Sequence, residues 1–454
     1  MDHDGRPRAR WTRAAATRDT ARQVTTSAAA QVVSSDPTPA FIKRNTVWLA
    51  LTQMFVGTGT QFTSAMGPLM VLSLLGSPAF AGLSVGVIGG TRLVASHAFG
   101  KVTDSFGRKP GMYLALGCAL VGAVLIGSAM QAGSFAGLVA GMVIFALGMN
   151  GVQQLRLAAA EMYPPGRRAV VLGIMLTGSL VGVILAPSII GFAYALSPAL
   201  GMNGLALPWF VFPALIVPAA IMVTRVRPDP RDIAADLGRY YPGYLPPASE
   251  ATTFTVTFGL REFFAHPDRR VAATTMLFSQ AAMQMAMVTV PLQLTHHGYE
   301  LPAVALSTSI HAAGMFGPSL PMGRLVDRMG RGTLLMAGAI VEAVGAGVAT
   351  FTSDHASITL GIFLVGVGWC AASVSSTAMV IDSTPTGARG RAVGLLDSFT
   401  AAGVLLPLSV GVLVEVWGFE VAGMLAMFLV VLPLFLRRFL VDGSLVPWPA
   451  AREP

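Results

Sequence analysis

Two short apolar stretches of the sequence carry sulfur and imidazole side chains at a four-residue spacing. The first is MQMAM, which contains Met283 and Met287, and the second is HAAGM, which contains His311 and Met315. Residues four apart share one face of a helix, so each stretch can present two ligands side by side. Thioether and imidazole groups form a soft ligand set that favours Cu(I), whereas Mg²⁺, Ca²⁺ and Mn²⁺ prefer oxygen. These four residues predict a copper site if their helices face each other.

Core packing is the alternative role for the methionines, because Met is the usual gap filler of apolar cores. With 23 Met among 454 residues, roughly one Met-x-x-x-Met is expected by chance. Two occur, since Met66 and Met70 form another. Of the seven histidines, only His311 has Met four residues later, and a histidine inside a membrane is costly without a partner. The imidazole therefore favours a functional site.

The composition is that of an integral membrane protein. Hydrophobic residues make up 54% and charged residues 11% of the chain, whereas a soluble domain carries about 25% charged residues. Stretches long enough to span a bilayer, about 20 residues each, occur twelve times: 46–70, 78–99, 111–131, 135–160, 169–195, 205–224, 271–293, 301–322, 333–352, 357–381, 392–414 and 418–436.

Spans 7 and 8 place the two ligand pairs at similar depth. The spans are consecutive and therefore antiparallel, and they are joined by a turn near His296 and His297. Counted from that turn, Met283 lies about 13 residues along one helix and His311 about 15 along the other, which is roughly 20 Å at 1.5 Å per residue. We therefore expect three thioethers and one imidazole to converge.

The basic residues indicate the orientation of the spans. Apart from Arg92 and Arg156, every Lys and Arg lies before span 1, between an even-numbered span and the next, or after span 12. By the positive-inside rule both termini are cytoplasmic. The net charge of +8 then reflects topology rather than a nucleic-acid partner. Residues 1–45 are interpreted as a disordered basic cytoplasmic tail and residues 438–454 as a second cytoplasmic tail.

Two motifs of the first half recur in the second half. A turn motif precedes spans 3 and 9, and a helix-end motif, an acid followed seven residues later by Arg, ends spans 4 and 10. We predict that the turn residues form a gating latch at the membrane edge, because a carboxylate there can accept hydrogen bonds from Arg and from free backbone N–H groups. The turn residues are Gly100, Asp104, Gly107, Arg108 and Lys109, with their counterparts Gly323, Asp327, Gly330 and Arg331; the helix-end charge pairs are Glu161 with Arg168 and Asp382 with Arg389.

The duplicated turn and the twelve spans resemble the major facilitator superfamily over residues 46 to 437. The resemblance implies an all-α integral membrane protein, with twelve transmembrane helices in two six-helix bundles related by pseudo-twofold symmetry. The bundles would comprise residues 46–224 and 271–437, joined by a cytoplasmic linker at 225–270. It also implies a solute site between the bundles and alternating access to the two sides of the membrane.

A narrower resemblance concerns the four soft ligands. Met-x-x-x-Met in span 7 with His-x-x-x-Met in span 8 is similar to the CcoA-like bacterial copper importers, which supply copper for assembly of haem–copper cytochrome oxidases. This resemblance implies a bacterial inner-membrane protein with copper as its transported substrate. Some relatives of these importers lack the motifs and are linked to riboflavin, so the superfamily alone leaves the substrate open.

Other polar residues inside the spans are candidates for a cavity or for proton coupling. Spans 1 and 7 are repeat-related, and their glutamines can line a cavity or join helices by hydrogen bonds. The basic side chains of span 2 can line the cavity, or Arg92 can snorkel to the cytoplasmic edge. The cavity candidates are Gln53, Gln61, Arg92, His97, Gln280 and Gln284, and the proton-coupling candidates are Asp397 and Glu342. The superfamily fold favours Asp397, although its position also permits a simple pairing with Arg391.

These observations predict a secondary active transporter that imports copper, functions as a monomer in the lipid bilayer and needs no cofactor. A carrier of an organic solute is the alternative, either a riboflavin-like importer or a proton-coupled drug exporter. A membrane copper receptor without transport is a third possibility. An enzyme is not expected, because no nucleophile, base and orienting group come together at any recognisable spacing.

Overall fold

A computed structural model describes residues 38–152, 154–241, 258–385 and 388–442. The described residues are helical and contain no strand. They form twelve long helical segments, α1 to α12, in the predicted order. These are Ala40–Leu75, Gly82–Phe106, Arg108–Ala132, Phe135–Glu161, Pro165–Leu196, Leu207–Arg225, Pro267–His296, Leu301–Phe316 with Ser319–Met329, Arg331–Phe351, His355–Asp382, Arg389–Ala402 extended to residue 417, and residues 419–442.

Hydropathy explains why the segments are not equally evident as membrane helices. Within the described residues, eight stretches are long and apolar enough to span a membrane, and the last of them, Arg389–Leu436, contains both α11 and α12. Helix α1 is not among the eight, which agrees with the polar residues of span 1, such as Gln53 and Gln61. The break between α11 and α12 falls at Gly418, whose φ of 84° is readily adopted by glycine.

Each half of the chain is a bundle of six helices held by close backbone packing. In the first half α3 packs along α4, and in the second half their repeat equivalents α9 and α10 pack in the same way. A side chain at Gly122 would collide with the backbone of Phe145, and one at Gly361 would lie 2.7 Å from the carbonyl oxygen of Gly345. Small residues permit this approach in lipid, where van der Waals contact drives helix association. The predicted fold is confirmed.

The connection between the halves lies on one side of the molecule, which we call the linker face (residues 226–241 and 258–266). The opposite side, the far face, carries residues 76–81 and 297–300. The first linker segment contains the short helices Pro230–Ala235 and Leu237–Tyr240, and the second contains Leu260–Ala265. Helix α1 begins at Ala40 and α7 at Pro267, so both start a few residues before the predicted spans.

The two bundles close against each other at the far face. The start of α2 meets α11, where a side chain at Gly82 would lie 2.7 Å from the carbonyl oxygen of Pro407. Glu415 of α11 accepts hydrogen bonds from the Ser77 hydroxyl and from the backbone N–H of Ala79 at 2.9 Å. Far-face segments of α5 and α8 also pack together.

Toward the linker face, the same helices pack within their own half. The segment Ser319–Met329 of α8 contacts α9 and α10, and Arg389–Ala402 of α11 contacts α7 and α10. Helix α8 is interrupted at Gly317 and Pro318, between its cross-bundle part and its within-bundle part. This arrangement is a conformation closed at the far face.

Candidate functional site

Two of the four predicted soft ligands belong to one apolar cluster in the second bundle. Met283 of α7 is 5% exposed and shares this cluster with Met315 of α8, Trp369 of α10 and Met427 of α12. Met287 is also buried but belongs to the larger apolar cluster that extends through the first bundle. The thioethers of α7 therefore pack in two different environments.

His311 is directed at α10. Its ring is 2% exposed, and Nδ1 lies 2.7 Å from the carbonyl oxygen of Ile362. This contact assigns the proton to Nδ1, because a carbonyl can only accept. Nε2 has no hydrogen-bond partner among the described residues, so none of them uses its buried lone pair.

The orientation of His311 follows from close packing of α8 on α10. A side chain at Gly314 would lie 2.6 Å from the carbonyl oxygen of Phe363, and Gly366 faces the backbone of His311 equally closely. Helix α8 contacts α7 much less than it contacts α10. Within the described residues, no three His, Cys, Asp or Glu side chains are grouped to hold a metal ion, so any metal site here depends on methionine.

Beside the apolar cluster, α7 and α10 are joined by a polar contact. The indole Nε1 of Trp369 donates to Oε1 of Gln280 at 2.9 Å. The Trp369 ring is half-buried, whereas Gln280 is 6% exposed. The neighbouring Gln284 is half-buried. Trp369 was not among the sequence candidates, although an aromatic ring with a polar tip inside a span is a recognisable signal.

In the first bundle, Gln53 joins a buried network rather than a cavity wall. Arg156 of α4 donates through Nη2 to the Ser179 hydroxyl at 3.2 Å. With the amide oriented so that its oxygen faces these donors, Gln53 accepts from Arg156 Nε at 3.0 Å and from Ser179 at 2.9 Å. The network connects α1, α4 and α5. Gln61 is buried too, and none of the described side chains or backbone groups bonds its Oε1.

A cavity of about 80 Å³ lies between α1, α2 and α4. Hydroxyl, amide and aromatic side chains all contribute to its wall. Its wall consists of Thr60, Thr63, Ile88, Phe145, Ala146, Met149 and Asn150. The charged candidates of α2 cannot be placed around it, because the side chains of Arg92 and His97 lie outside the described part of the structure.

The two candidate acids have different environments. Glu342 of α9 is fully buried, and its Oε2 lies 2.6 Å from the hydroxyl of Ser279 on α7. Its Oε1 has no hydrogen-bond partner within the part of the chain that the structure describes. Asp397 is exposed on α11 and makes an interaction of its own.

The turn motif has the same backbone geometry in both halves. Gly107 has a φ of 103° and Gly330 a φ of 87°, a conformation that side chains other than glycine rarely adopt. Each glycine immediately precedes a membrane helix, α3 or α9. The duplication predicted from the sequence is therefore a duplication of structure.

The arginine of each turn pairs with the acid that ends the next helix of its bundle. Arg108 Nη2 lies 3.0 Å from Glu161, and Arg331 Nε lies 2.8 Å from Asp382. Arg331 also approaches Asp327 at 3.8 Å. The two motifs thus form one charged unit per half at the linker face.

The arginines of the two helix-end motifs donate hydrogen bonds to backbone carbonyl groups. Arg168 donates to the carbonyl of Tyr163 at 3.1 Å, and Arg389 donates to that of Thr384 at 3.2 Å. The helix-end arginines therefore cap chain turns instead of pairing with the acids expected from their spacing. The N–H of Lys109 donates to Asp229 of the linker at 3.0 Å.

Asp229 of the linker binds the start of α3 through its carboxylate. It accepts from the backbone N–H of Arg108 at 3.2 Å as well as from Lys109. The side chain of Asp104, the predicted latch carboxylate, lies outside the described part of the structure. The same is true of the surroundings of Gly100. Gly323 lies in the linker-face segment of α8 with open space around it.

Comparison with known proteins supports the architecture. The Major Facilitator Superfamily model matches residues 49–317 and 272–454. The chain is 27% identical to the riboflavin transporter RfnT of Brucella anthropi, over 87% of this chain and 96% of that one. It is 26% identical to the uncharacterized MFS-type transporter YdeG of Bacillus subtilis, over 83% and 87%.

A solved bacterial homolog of the human lysosomal transporter Spinster, in an inward-facing and occupied conformation, superposes with a TM-score of 0.67. It shares 14% identity over 91% of this chain and 100% of that one. At this identity the likeness concerns the fold alone. With the duplicated turns, the twelve helices and the family match together, the chain belongs to the Major Facilitator Superfamily of membrane transporters.

Proposed function

We propose that this transporter carries a small planar heteroaromatic solute of the riboflavin type into the cytoplasm across a bacterial inner membrane. The similarity to a riboflavin transporter over nearly the whole of both chains supports this substrate class. The polar groups between the helices support it as well, because they are mainly neutral amides and hydroxyls. Such groups match the carbonyl and N–H edge of a neutral ring system.

The observation that carries the proposal is the pair formed by Trp369 and Gln280. The hydrogen bond of 2.9 Å fixes the indole ring while leaving it half-buried. A fixed aromatic face is suited to stacking against a flat heterocycle. Thr60, Thr63 and Asn150 around the cavity of the first bundle are neutral groups that can hydrogen-bond a polar solute edge.

The conformation fits a carrier that releases solute at the linker face. The distribution of Lys and Arg supports a cytoplasmic location for that face and for both termini, by the positive-inside rule. The contacts of α2 with α11 and of α5 with α8 then close the periplasmic side. Import requires these contacts to open while the linker face closes. Both bundles belong to one chain, so we expect a functional monomer.

Uptake of radiolabelled riboflavin tests the proposal, in cells that express wild type or Trp369→Ala at equal membrane levels. Loss of base–aromatic stacking costs about 1–3 kcal/mol in comparable sites, so uptake below saturation should fall by roughly 5- to 150-fold. Phe428→Ala on the lipid-exposed side of α12, where the ring is 56% exposed, is the matched control and should transport normally. Equal uptake by cells with and without the wild-type protein contradicts the proposal.

Copper is a second candidate substrate, favoured by one specific observation. The Nε2 atom of His311 is buried without a partner while Nδ1 is held by a carbonyl, which is the usual arrangement of a histidine ready to ligate a metal. Met315 lies one turn further along α8, and Met283 belongs to the same apolar cluster. Together with Met287 they are the proposed ligands.

Timed copper uptake distinguishes this candidate from the first. His311→Ala should abolish copper accumulation while Met66→Leu, which alters a buried methionine of the first bundle, should not. If riboflavin is the solute and His311 merely packs, neither substitution changes copper accumulation, because wild type does not accumulate copper. That result would remove copper from consideration.

A further inference from the structure

Glu342 lies in the packed interior of the second bundle. It is fully buried on α9, at a level where a side chain on Gly368 of α10 would lie 2.6 Å from its Cβ. Close packing on this side leaves its carboxyl group directed at α7, where the Ser279 hydroxyl is the partner at 2.6 Å. No described residue forms a hydrogen bond with Oε1.

A charged carboxylate is poorly accommodated in such a site. Burial of an ionised carboxylate costs several kcal/mol unless charges or several hydrogen bonds compensate it, and Glu342 makes one hydrogen bond, to a neutral hydroxyl. A protonated, neutral carboxyl group needs much less compensation for its burial. Its hydroxyl at Oε2 can donate to Ser279, and only a neutral carbonyl oxygen remains unpartnered.

The ionisable groups of the surrounding helices lie elsewhere. Those of α7 are at its ends, as are those of α10 and α12, and the thiol of Cys370 contacts Ser319 of α8 instead. No described ion pair involves Glu342. The end groups among the described side chains are Asp268, Arg269, Arg270 and His296 of α7, His355 and Asp382 of α10, and Glu420 of α12.

Ser279 also connects this carboxyl to the solute site, because its neighbour on α7 is Gln280, which holds Trp369. One turn beyond Glu342, Ala346 packs in the same cluster as Met283 and Trp369. A movement of α7 that breaks the hydrogen bond of Ser279 would therefore displace Gln280 as well. Such a movement would therefore affect Glu342 and Trp369 together.

We propose that Glu342 is the proton-binding site of this carrier and is protonated in the conformation closed at the far face. Movement of α7 exposes the carboxyl group to water, so that a proton from the far side is taken up and later released at the linker face. No bond other than the carboxyl O–H forms or breaks. The proposal rests on solute transport as proposed above, and it makes that transport proton-coupled symport.

Reconstituted vesicles separate coupling from transport. Wild type should accumulate labelled riboflavin against its gradient when the vesicle interior is alkaline. Glu342→Gln, which mimics the protonated acid, should keep riboflavin exchange between equal concentrations but lose pH-driven accumulation by at least about tenfold, a change equivalent to about 1.4 kcal/mol. The control Glu300→Gln, which neutralises an exposed acid at the far face, should retain accumulation. Accumulation by Glu342→Gln at the wild-type level overturns the proposal.

An infrared difference spectrum tests protonation without any solute. Wild type minus Glu342→Gln should show the carbonyl stretching band of a protonated carboxylic acid, and Ser279→Ala should shift this band by removing its hydrogen bond. Absence of the band in wild type overturns the proposal. If wild-type vesicles neither accumulate nor exchange riboflavin, the proposed function fails, while the infrared band still decides the protonation of Glu342.

Discussion

Closure of the far face depends on the absence of a side chain at Gly82. A methyl group there would lie 2.7 Å from the carbonyl oxygen of Pro407 and 2.9 Å from that of Leu408. Ordinary carbon to oxygen contacts begin at about 3.3 Å, so α2 and α11 must separate by roughly 0.5 Å. Both obstructing atoms belong to the backbone and cannot rotate away.

Gly82→Ala should therefore shift the carrier away from the conformation closed at the far face. Overpacking of this kind costs about 1–3 kcal/mol, which changes the ratio of the two conformations by about 5- to 150-fold. Gly90→Ala is the matched control, because Gly90 lies on the same helix with nothing within 4 Å of an added methyl group. We expect the control to behave as wild type.

Spin-label distances across the far face measure this shift. Labels at Asn203→Cys and Glu300→Cys report on one exposed position in each half, after replacement of the native Cys118 and Cys370. Gly82→Ala should add a longer distance component, and initial transport rates should fall in parallel. Identical distance distributions for Gly82→Ala and wild type would refute the assignment of the α2–α11 contact as the gate.

Three further substitutions test the turns and caps. Gly107→Ala should lower the melting temperature, since its φ of 103° costs other residues about 1–2 kcal/mol; an unchanged melting curve contradicts this. Glu161→Gln should destabilise by about 1–3 kcal/mol, as the bond from Arg108 loses its charge, with partial recovery in Glu161→Asp. Hydrogen bonds from the N–H and hydroxyl of Ser357 lower the pKa of Asp354. Asp354→Ala should therefore reduce stability at pH 7, with a difference that shrinks as the pH falls below about 3.9; a constant difference counts against the cap.

The fold could be predicted because each signal was strong and repeated. Twelve apolar stretches and the bias of basic residues define membrane helices independently of their packing. The turns that contain Gly107 and Gly330 recur with the same backbone geometry, because only glycine tolerates it easily. Span lengths, charge placement and turn residues are local properties, and the sequence displays them directly.

The partners of individual side chains could not be predicted in the same way. Spacing places His311 and Met283 at similar depth, but it does not define how each helix is rotated about its axis. The packing of Gly314 and Gly366 turns His311 toward α10. Likewise, the sequence separates the two charged motifs, while the structure joins Arg108 to Glu161. Such pairings depend on contacts between elements distant in the chain.

The first linker segment packs on the first bundle, and the second linker segment packs on the second bundle. Asn45 exchanges two hydrogen bonds with Arg227, and the Tyr241 hydroxyl donates to Met162, so the first linker segment belongs to the first bundle. On the other side, Phe264 packs edge-on against Phe399 of the second bundle. The described contacts therefore assign the linker up to residue 241 to the first bundle and the linker from residue 258 to the second bundle.

Residues 241 and 258 are seventeen peptide steps apart, and a chain of that length can reach at most about 60 Å. This reach exceeds any displacement expected between two bundles that stay in contact. A chain break within that interval would leave every described contact of each bundle in place. Two separately synthesised polypeptides, one ending with the first linker segment and one beginning with the second, should consequently reassemble into a working carrier.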